Sequence, residues 1–502
     1  MQSLITDWLA AQAAREPNKT ALTFEGQTFS FRALSELAGT WARRLRGAGV
    51  TRGDRVALFL SNRPEYAALV FALMRLGATV VPLNIRLTAA ELRVQLRQAT
   101  PKLLISEAEL FRPVSDLSTL LPCYLIDDAF SDGDALGTRA FAESELVPEG
   151  WVDLGDPFCV LFTSGTTGTP KGVVLSLSNF FYSATASAYR LGVQPDDLWL
   201  CTLPLYHVGG LSILLRSSLY GTAVSLHRRF ELDQVARALS HDPVTLVSLV
   251  PTTLHRLLES PDFTPYPALR LILLGGAAAS EDLLRKASER NLPIATTYGL
   301  SEACSQVTTA RPEQAKRKPG TVGKPLMFIE VRVTNSKGYE VAVDSVGEVR
   351  VRGANVMQGY LDAEATAKTL QNGWLHTGDL GYLDAEGDLF IVQRRADLIV
   401  TGGENVYPAE VERVLQSHPQ VAEACVVGVP HPEWGQQVAA AVVPNASQND
   451  NQLLQDLKKL CRDSLAGYKQ PRVFLLLNEL PRTASGKPKR DELRAQFASQ
   501  TS

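Results

Sequence analysis

The chain has no Cys-x-x-Cys pair: its six cysteines, Cys123, Cys159, Cys201, Cys304, Cys425 and Cys461, stand far apart. That argues against zinc-ribbon spacing and fits the reduced thiols of a cytoplasmic protein better than a disulfide framework, so no structural metal is expected. Net charge is also nearly absent, −3 from 50 basic and 53 acidic residues, and the basic footprint of a nucleic-acid binder is missing with it. Long apolar runs are lacking too. The most apolar stretches, residues 56–60 and 66–73, fall well short of the ~20 residues that cross a bilayer. The start, Met-Gln-Ser-Leu-Ile-Thr-Asp-Trp, has no basic opening and is interrupted by Asp7, so neither a secretory leader nor a membrane span is expected. No Gly-Lys-Ser/Thr step opens a helix and no Gly-x-Ser-x-Gly elbow occurs, which argues against a P-loop and against a serine nucleophile.

What is present is an α/β rhythm. The 502 residues, 45% hydrophobic and 21% charged, exceed one ordinary core and predict a multi-lobed body or several domains. Residues 55–61 read as a buried strand, 65–76 as a helix and 77–82 as the next strand. The pattern returns at 246–251, 252–258 and 271–275, which predicts parallel sheets flanked by helices. From about residue 327 the sequence turns strand-dense, with period-two alternation at 329–333 and 347–352, as in an antiparallel or barrel-like lobe. A Gly-Gly turn, a helix opening near Pro408, an apolar strand at 424–429 and a helix at 453–461 then suggest a small separate α+β domain. The expectation is an α/β protein: a large body, residues 1–393, of two α/β sheet subdomains plus a β-barrel-like lobe, and a small mobile α+β domain, residues 394–502.

The chemistry begins at Thr163-Ser164-Gly165-Thr166-Thr167-Gly168-Thr169-Pro170-Lys171. Hydroxyls, flexible backbone amides and one terminal cation suit a cradle for polyphosphate. Apolar runs on both sides, residues 158–162 and 173–175, make it a strand-loop-strand element; a plain Gly/Ser/Thr hairpin is the alternative.

This loop resembles the signature of the adenylate-forming superfamily of acyl- and aryl-CoA ligases, peptide-synthetase adenylation domains and beetle luciferases. Further matching strings follow in order: Gly275-Gly276-Ala277, Thr297-Tyr298-Gly299-Leu300-Ser301-Glu302, Gly373 to Asp379, Asp397 to Glu410, and Pro481-Arg482-Thr483-Ala484-Ser485-Gly486-Lys487. They span nearly the whole chain. The resemblance implies ATP, Mg²⁺ and a thiol as co-reactants. By residue type, Tyr298 offers a flat face for adenine, and Gly275 with Gly276 allows close approach of a ligand, with a core tyrosine and a turn as the alternative. Glu302, with Thr163, suits Mg²⁺ beside a triphosphate. The resemblance gives Asp379 and Arg394 to the ribose and phosphates, where residue type alone leaves a surface turn and an ion pair equally open. Lys487 and His207 are the catalytic candidates; Lys487 is a cation on a mobile segment that can stabilise charge where a carboxylate meets the α-phosphate. The acid itself attacks, so no nucleophilic side chain is required.

The same resemblance implies that the small domain rotates after adenylation, withdrawing Lys487 and presenting Gly402 and Gly403 to a thiol tunnel. Trp434 either flanks the pantetheine arm or anchors a turn. Many relatives carry Asp or Lys two residues after the Gly-Arg of the pivot, and here Gln393-Arg394-Arg395-Ala396 has alanine. Fifteen residues follow Lys487, too few for a fused carrier domain, so free coenzyme A is the expected acceptor, with a separate carrier protein as the alternative.

For the acid, residues 203–221 resemble the corresponding stretch of o-succinylbenzoate–CoA ligases of menaquinone and phylloquinone biosynthesis, as does Thr296-Thr297-Tyr298-Gly299 with Ser305 and Gln306 after it. That substrate has one carboxylate to activate and another on its aromatic ring, so its pocket needs polar or cationic groups. Arg216, Ser212, Ser305 and Gln306 are candidates, with Gly209, Gly275 and Thr296 beside them and His207 at the pocket mouth. Arg216 has a second reading as a surface ion pair, and His207 as a core histidine. A general medium-chain or aryl acyl-CoA ligase and a non-catalytic nucleotide-binding regulator are the competing functions. No nucleic-acid partner is expected, and composition leaves a homodimer open.

Overall fold

A computed structural model describes residues 4–126, 151–163, 170–260, 263–393, 398–445, 450–482 and 488–500. The chain forms two compact units: Met1–Ile85 with Leu96–Phe162 and Gly172–Gln393, and Arg86–Gln95 with Thr163–Lys171 and Arg394–Ser502. Among the described residues no helix is long and apolar enough to cross a membrane.

The first unit holds two sheets. Seven strands line up in the order Gly359–Tyr360, Lys171–Ser176, Pro157–Thr163, Thr79–Pro82, Arg55–Phe59, Leu103–Ser106 and Cys123–Leu125. The last four run parallel and are buried almost throughout, as strands covered on both faces must be. The helix Pro64–Leu76 begins on proline and ends at Gly77, whose left-handed backbone takes the C-cap.

The other sheet has fourteen strands. Its parallel part runs Ile294–Leu300, Leu271–Leu274, Leu246–Leu249, Leu198–Cys201, Ala223–Leu226 and Thr20–Phe24. The strand-dense later region joins it edge to edge: Ser305–Thr309 and Thr321–Pro325 lead antiparallel into Leu389–Gln393, Trp374–Leu383, Gly347–Gly353 and Ile329–Thr334. The carboxyl ends of the parallel strands lead directly to Leu203–His207, Pro251, Gly275-Gly276-Ala277 and Ser301-Glu302. Such ends are where open α/β sheets bind ligands.

In the second unit a five-stranded sheet takes the order Glu404–Val406, Ile399–Thr401, Gly435–Pro444, Val421–His431, with Val473–Leu476 parallel to Gly435–Pro444. Alternation sends Ala424 and Val426 into one core with Val411, Leu415, Leu453 and Leu457. It sends Cys425, Val427 and Val429 into another with Leu493 and Phe497, so helices Pro408–Gln416, Asp450–Ser464 and Arg490–Gln500 cover both faces.

Candidate functional site

In the first unit, neighbouring strand ends gather most of the residues singled out by sequence. Gly275 follows Leu271–Leu274, and a Cβ there would stand 2.7 Å from Thr297 Cγ2; the adjacent strand, not only a ligand, requires glycine. Tyr298 is 2% exposed, so protein covers its ring, and its hydroxyl donates to Asp379 Oδ2 at 2.6 Å. Asp379, itself buried, also has its N–H on Thr377 Oγ1 at 3.1 Å. The strand kinks at Tyr298 and Gly299, where the register shifts, and a Cβ on Gly299 would lie 1.8 Å from Ser305 O. Cys304 and Ser305 turn through φ of 49° and 87°, unusual for side-chain-bearing residues. That turn delivers Glu302, which is buried. The Tyr360 hydroxyl donates to Glu302 Oε1 at 2.8 Å and Met357 N–H to its carbonyl at 2.9 Å. Among the described residues no cluster of three or more metal-ligating side chains occurs. A single buried carboxylate still fits Mg²⁺, which usually takes one or two carboxylates and completes its octahedron with phosphate oxygens and water.

The helix Val208–Tyr220 begins at His207 as its N-cap. It carries Gly209, Ser212 and Arg216 at spacings of three and four, hence along one side. Arg216 is 2% exposed, which removes the surface ion pair. Its guanidinium donates to Ser212 O at 3.0 Å, Ser187 Oγ at 3.1 Å and Gln306 Oε1 at 2.9 Å, and lies 5.2 Å from the Trp199 ring centre. All these partners are neutral, and among the described residues no carboxylate pairs with it. Burial pulls its pKa below the ordinary arginine value. Ser212 Oγ is buried with no hydrogen-bond partner among the described residues. Gln306 donates onward to Thr309 Oγ1 at 3.0 Å, which meets Thr297 Oγ1 at 2.9 Å. Thr296 is committed elsewhere, its hydroxyl donating to Thr321 O at 2.7 Å. His207 packs against Tyr206 with ring centres 4.7 Å apart.

Within the second unit Gly402 N–H donates to Trp434 O at 3.0 Å, so the glycine turn and the tryptophan are brought together. Gly402 and Gly403 have φ of 57° and 83°. His431 stacks on Trp434 at 4.3 Å, and the Arg472 guanidinium lies 5.4 Å from the Trp434 ring centre. Thr163 and Lys171 end and begin neighbouring strands, the expected strand-loop-strand setting. Ser164, Gly165, Thr166, Thr167 and Gly168 of that loop, together with Arg394 and Lys487, lie outside the described residues.

The AMP-binding enzyme family pattern matches residues 9–361, and its C-terminal domain pattern matches residues 410–487. The chain belongs to the AMP-binding enzyme family. Among curated relatives, the 2-succinylbenzoate–CoA ligase of Bacillus velezensis is 41% identical over 97% of both chains. The o-succinylbenzoate CoA synthetase of Bacillus subtilis, as a double mutant bound to a product analogue, matches with a TM-score of 0.91 and 38% identity over 98% of each chain. The same enzyme with ATP and magnesium matches with a TM-score of 0.74 and 38% identity, covering 98% of this chain and 100% of that one.

For this AMP-binding enzyme, sequence reasoning missed Tyr360, which holds Glu302, and Asn355, whose amide donates to Ala303 O at 2.7 Å and Gln306 O at 3.3 Å. A tyrosine after glycine at the end of a short strand carries no local signal of either role. Arg472 was missed for the same reason, since only the fold sets it over Trp434.

Proposed function

We propose that this AMP-binding enzyme is an acid–thiol ligase acting on o-succinylbenzoate in the cytoplasm. It converts the acid, ATP and coenzyme A into o-succinylbenzoyl-CoA, AMP and diphosphate. In the first step a carboxylate oxygen of the succinyl arm attacks the α-phosphorus of ATP, and the bond to the β-phosphate oxygen breaks. In the second the coenzyme A sulfur attacks the acyl carbonyl carbon, its proton passing to solvent, and AMP leaves.

The observation that carries the substrate assignment is Arg216, a buried guanidinium whose partners among the described residues are all neutral. A ring carboxylate supplies the missing countercharge, and a plain fatty acid does not. Ser212, with its buried hydroxyl on the same helix side, and Gln306 and Ser305 complete the polar wall; Gly209, Gly275 and Thr296 border it and His207 lies at its mouth.

Gly276, Ala277, Thr297, Tyr298 and Gly299 flank the nucleotide. Asp379, fixed by Tyr298, accepts from the ribose hydroxyls together with Arg394, and residues 163–171 wrap the phosphates. Mg²⁺ held by Glu302 and Thr163 neutralises phosphate charge. Lys487 stabilises the charge that grows at the α-phosphorus. Residues 394–502 act as a mobile domain on the body 1–393, with Gly402, Gly403 and Trp434 bordering the thiol path.

The test is turnover of purified protein with ATP, Mg²⁺, coenzyme A and a panel of acids. The expected result is o-succinylbenzoate preferred over benzoate and medium-chain fatty acids. Fatty-acid turnover with o-succinylbenzoate inert would refute the assignment and leave a general acyl-CoA ligase, and no pyrophosphate release with any acid would favour a non-catalytic regulator.

A further inference from the structure

We propose that Asn62, which follows a strand of the seven-stranded sheet, is a positioning residue for the His207 end of the acyl pocket at the fourteen-stranded sheet. Asn62 follows the strand Arg55–Phe59 and is 3% exposed. Its amide is spent entirely on the other sheet. Oδ1 accepts from Leu205 N–H at 2.8 Å, and Nδ2 donates to Leu203 O and to His227 O, each at 3.0 Å. Leu203 and Leu205 lie in the turn between Leu198–Cys201 and the helix Val208–Tyr220, and His227 follows Ala223–Leu226. One side chain therefore ties two carboxyl strand ends of one sheet to a carboxyl strand end of the other, and bonds two backbone groups of the turn and one after the strand Ala223–Leu226.

The tie is stiff on both sides. Behind Asn62, Ser61 N–H donates to Glu107 Oε1 at 2.7 Å and Arg63 Nη1 to Glu107 Oε2 at 3.1 Å, and Glu107 is buried. In front, the turn is pressed onto the start of the helix, where a Cβ on Gly210 would stand 2.3 Å from Pro204 O. His207 N–H donates to Pro204 O at 3.1 Å, and Leu211 N–H donates to His207 O at 3.0 Å. A turn held by Asn62 on one face and by a glycine-width contact on the other has no slack, so displacing Leu203 and Leu205 displaces His207. The chemistry demands an amide: aspartate would keep the bond from Leu205 but set a carboxylate oxygen against two carbonyl oxygens. None of the nucleotide-side residues Gly275, Tyr298, Glu302 or Asp379 receives a described bond from Asn62, so the effect falls on the acid rather than on ATP.

The inference rests on the placement of His207 at the acyl pocket, and the experiment separates the two. Pyrophosphate release is measured with acid and ATP varied in turn for the wild type, Asn62→Asp, His207→Ala and the double variant; Asn62→Ser replaces Asn62→Asp should the latter not fold. The expected result is a rise of about tenfold in KM for the acid in Asn62→Asp, with KM for ATP within about twofold, a smaller effect than the ~10²-fold that a full 1 Å misplacement can cost. In the His207→Ala background the further rise shrinks below about threefold, because residues acting through one another are not additive. Equal rises in both KM values, or full additivity with His207→Ala, would overturn the proposal. An unchanged acid KM in His207→Ala faults the pocket assignment itself, whereas a raised acid KM there with Asn62→Asp silent faults only the role of Asn62.

Discussion

Arg216→Gln isolates the charge proposed to read the acid. Glutamine keeps a polar end that can still meet Ser187 or Gln306, but it removes a guanidinium whose described partners are Ser212 O, Ser187 Oγ and Gln306 Oε1. A hydrogen bond to a charged group contributes about 1.5–3 kcal/mol, and two unit charges about 4 Å apart at an effective dielectric near 20 contribute about 4 kcal/mol before desolvation. Taking about 3 kcal/mol as the net loss, kcat/KM for o-succinylbenzoate falls by about 10²-fold, since each 1.36 kcal/mol is tenfold. The control is 4-oxo-4-phenylbutanoate, which keeps the succinyl arm and lacks the ring carboxylate. With the wild type it loses about the same 10²-fold against o-succinylbenzoate, and Arg216→Gln lowers its turnover by less than about threefold. KM for ATP stays within about twofold in the variant. Equal losses on both acids would show that Arg216 holds the fold and does not read the carboxylate, and the reasoning would fail.

Gln306→Glu offers Arg216 a carboxylate of its own where Gln306 Oε1 now accepts from Arg216 Nη1 at 2.9 Å; selectivity for the ring carboxylate collapses as in Arg216→Gln, read by the same two acids. Tyr360→Phe removes the buried donation to Glu302 Oε1, so half-maximal pyrophosphate release needs about tenfold more Mg²⁺, while thioester formation from a synthetic acyl-adenylate stays within about twofold. Gly299→Ala forces a Cβ to 1.8 Å from Ser305 O; the expected outcome is a thermal midpoint lowered by several degrees with adenylation lost, and an unchanged melt with full activity would contradict the close approach. Lys487→Ala abolishes adenylation and spares the conversion of synthetic acyl-adenylate to thioester; equal loss of both steps would contradict the division of labour.

Much of the fold was legible because its signals are local. The run at residues 55–61 becomes Arg55–Phe59, and the helix expected at 65–76 becomes Pro64–Leu76, since apolar length and a proline start are written in consecutive residues. The strand-dense region after residue 327 is antiparallel as its alternation predicts, yet its continuity with the parallel sheet through Ser305–Thr309 was not legible, because edge-to-edge pairing depends on residues far apart in sequence. The site divides the same way. Glu302, Asp379 and Arg216 were singled out by residue type and family resemblance, but what fixes each is remote: Tyr360 for Glu302, Tyr298 for Asp379, and Gln306 with Ser187 for Arg216. Tyr298 was read as a stacking face or a core tyrosine, and its hydrogen bond to Asp379 appears only once two distant strands are placed.

Two buried cations, one in each unit, differ in how the fold matches their charge. Lys469 is 4% exposed, with Glu91 Oε1 at 2.7 Å and Glu410 Oε1 at 2.8 Å. Burial alone lowers its pKa, but the two carboxylates outweigh burial and raise it above the ordinary lysine value. Arg216 is as deeply buried, and there burial prevails and its pKa is lowered. An internal charge without a countercharge costs stability unless hydrogen bonds and a bound anion offset it. Lys469 is matched by the fold itself, so it answers to nothing outside the protein. In the proposed reading Arg216, with neutral partners among the described residues, is matched when the ring carboxylate enters, so that the free enzyme carries the cost and the acid relieves it. Differential binding of that kind separates a dicarboxylic aromatic acid from a neutral-tailed one, because the neutral tail would bury the guanidinium further and leave it unmatched.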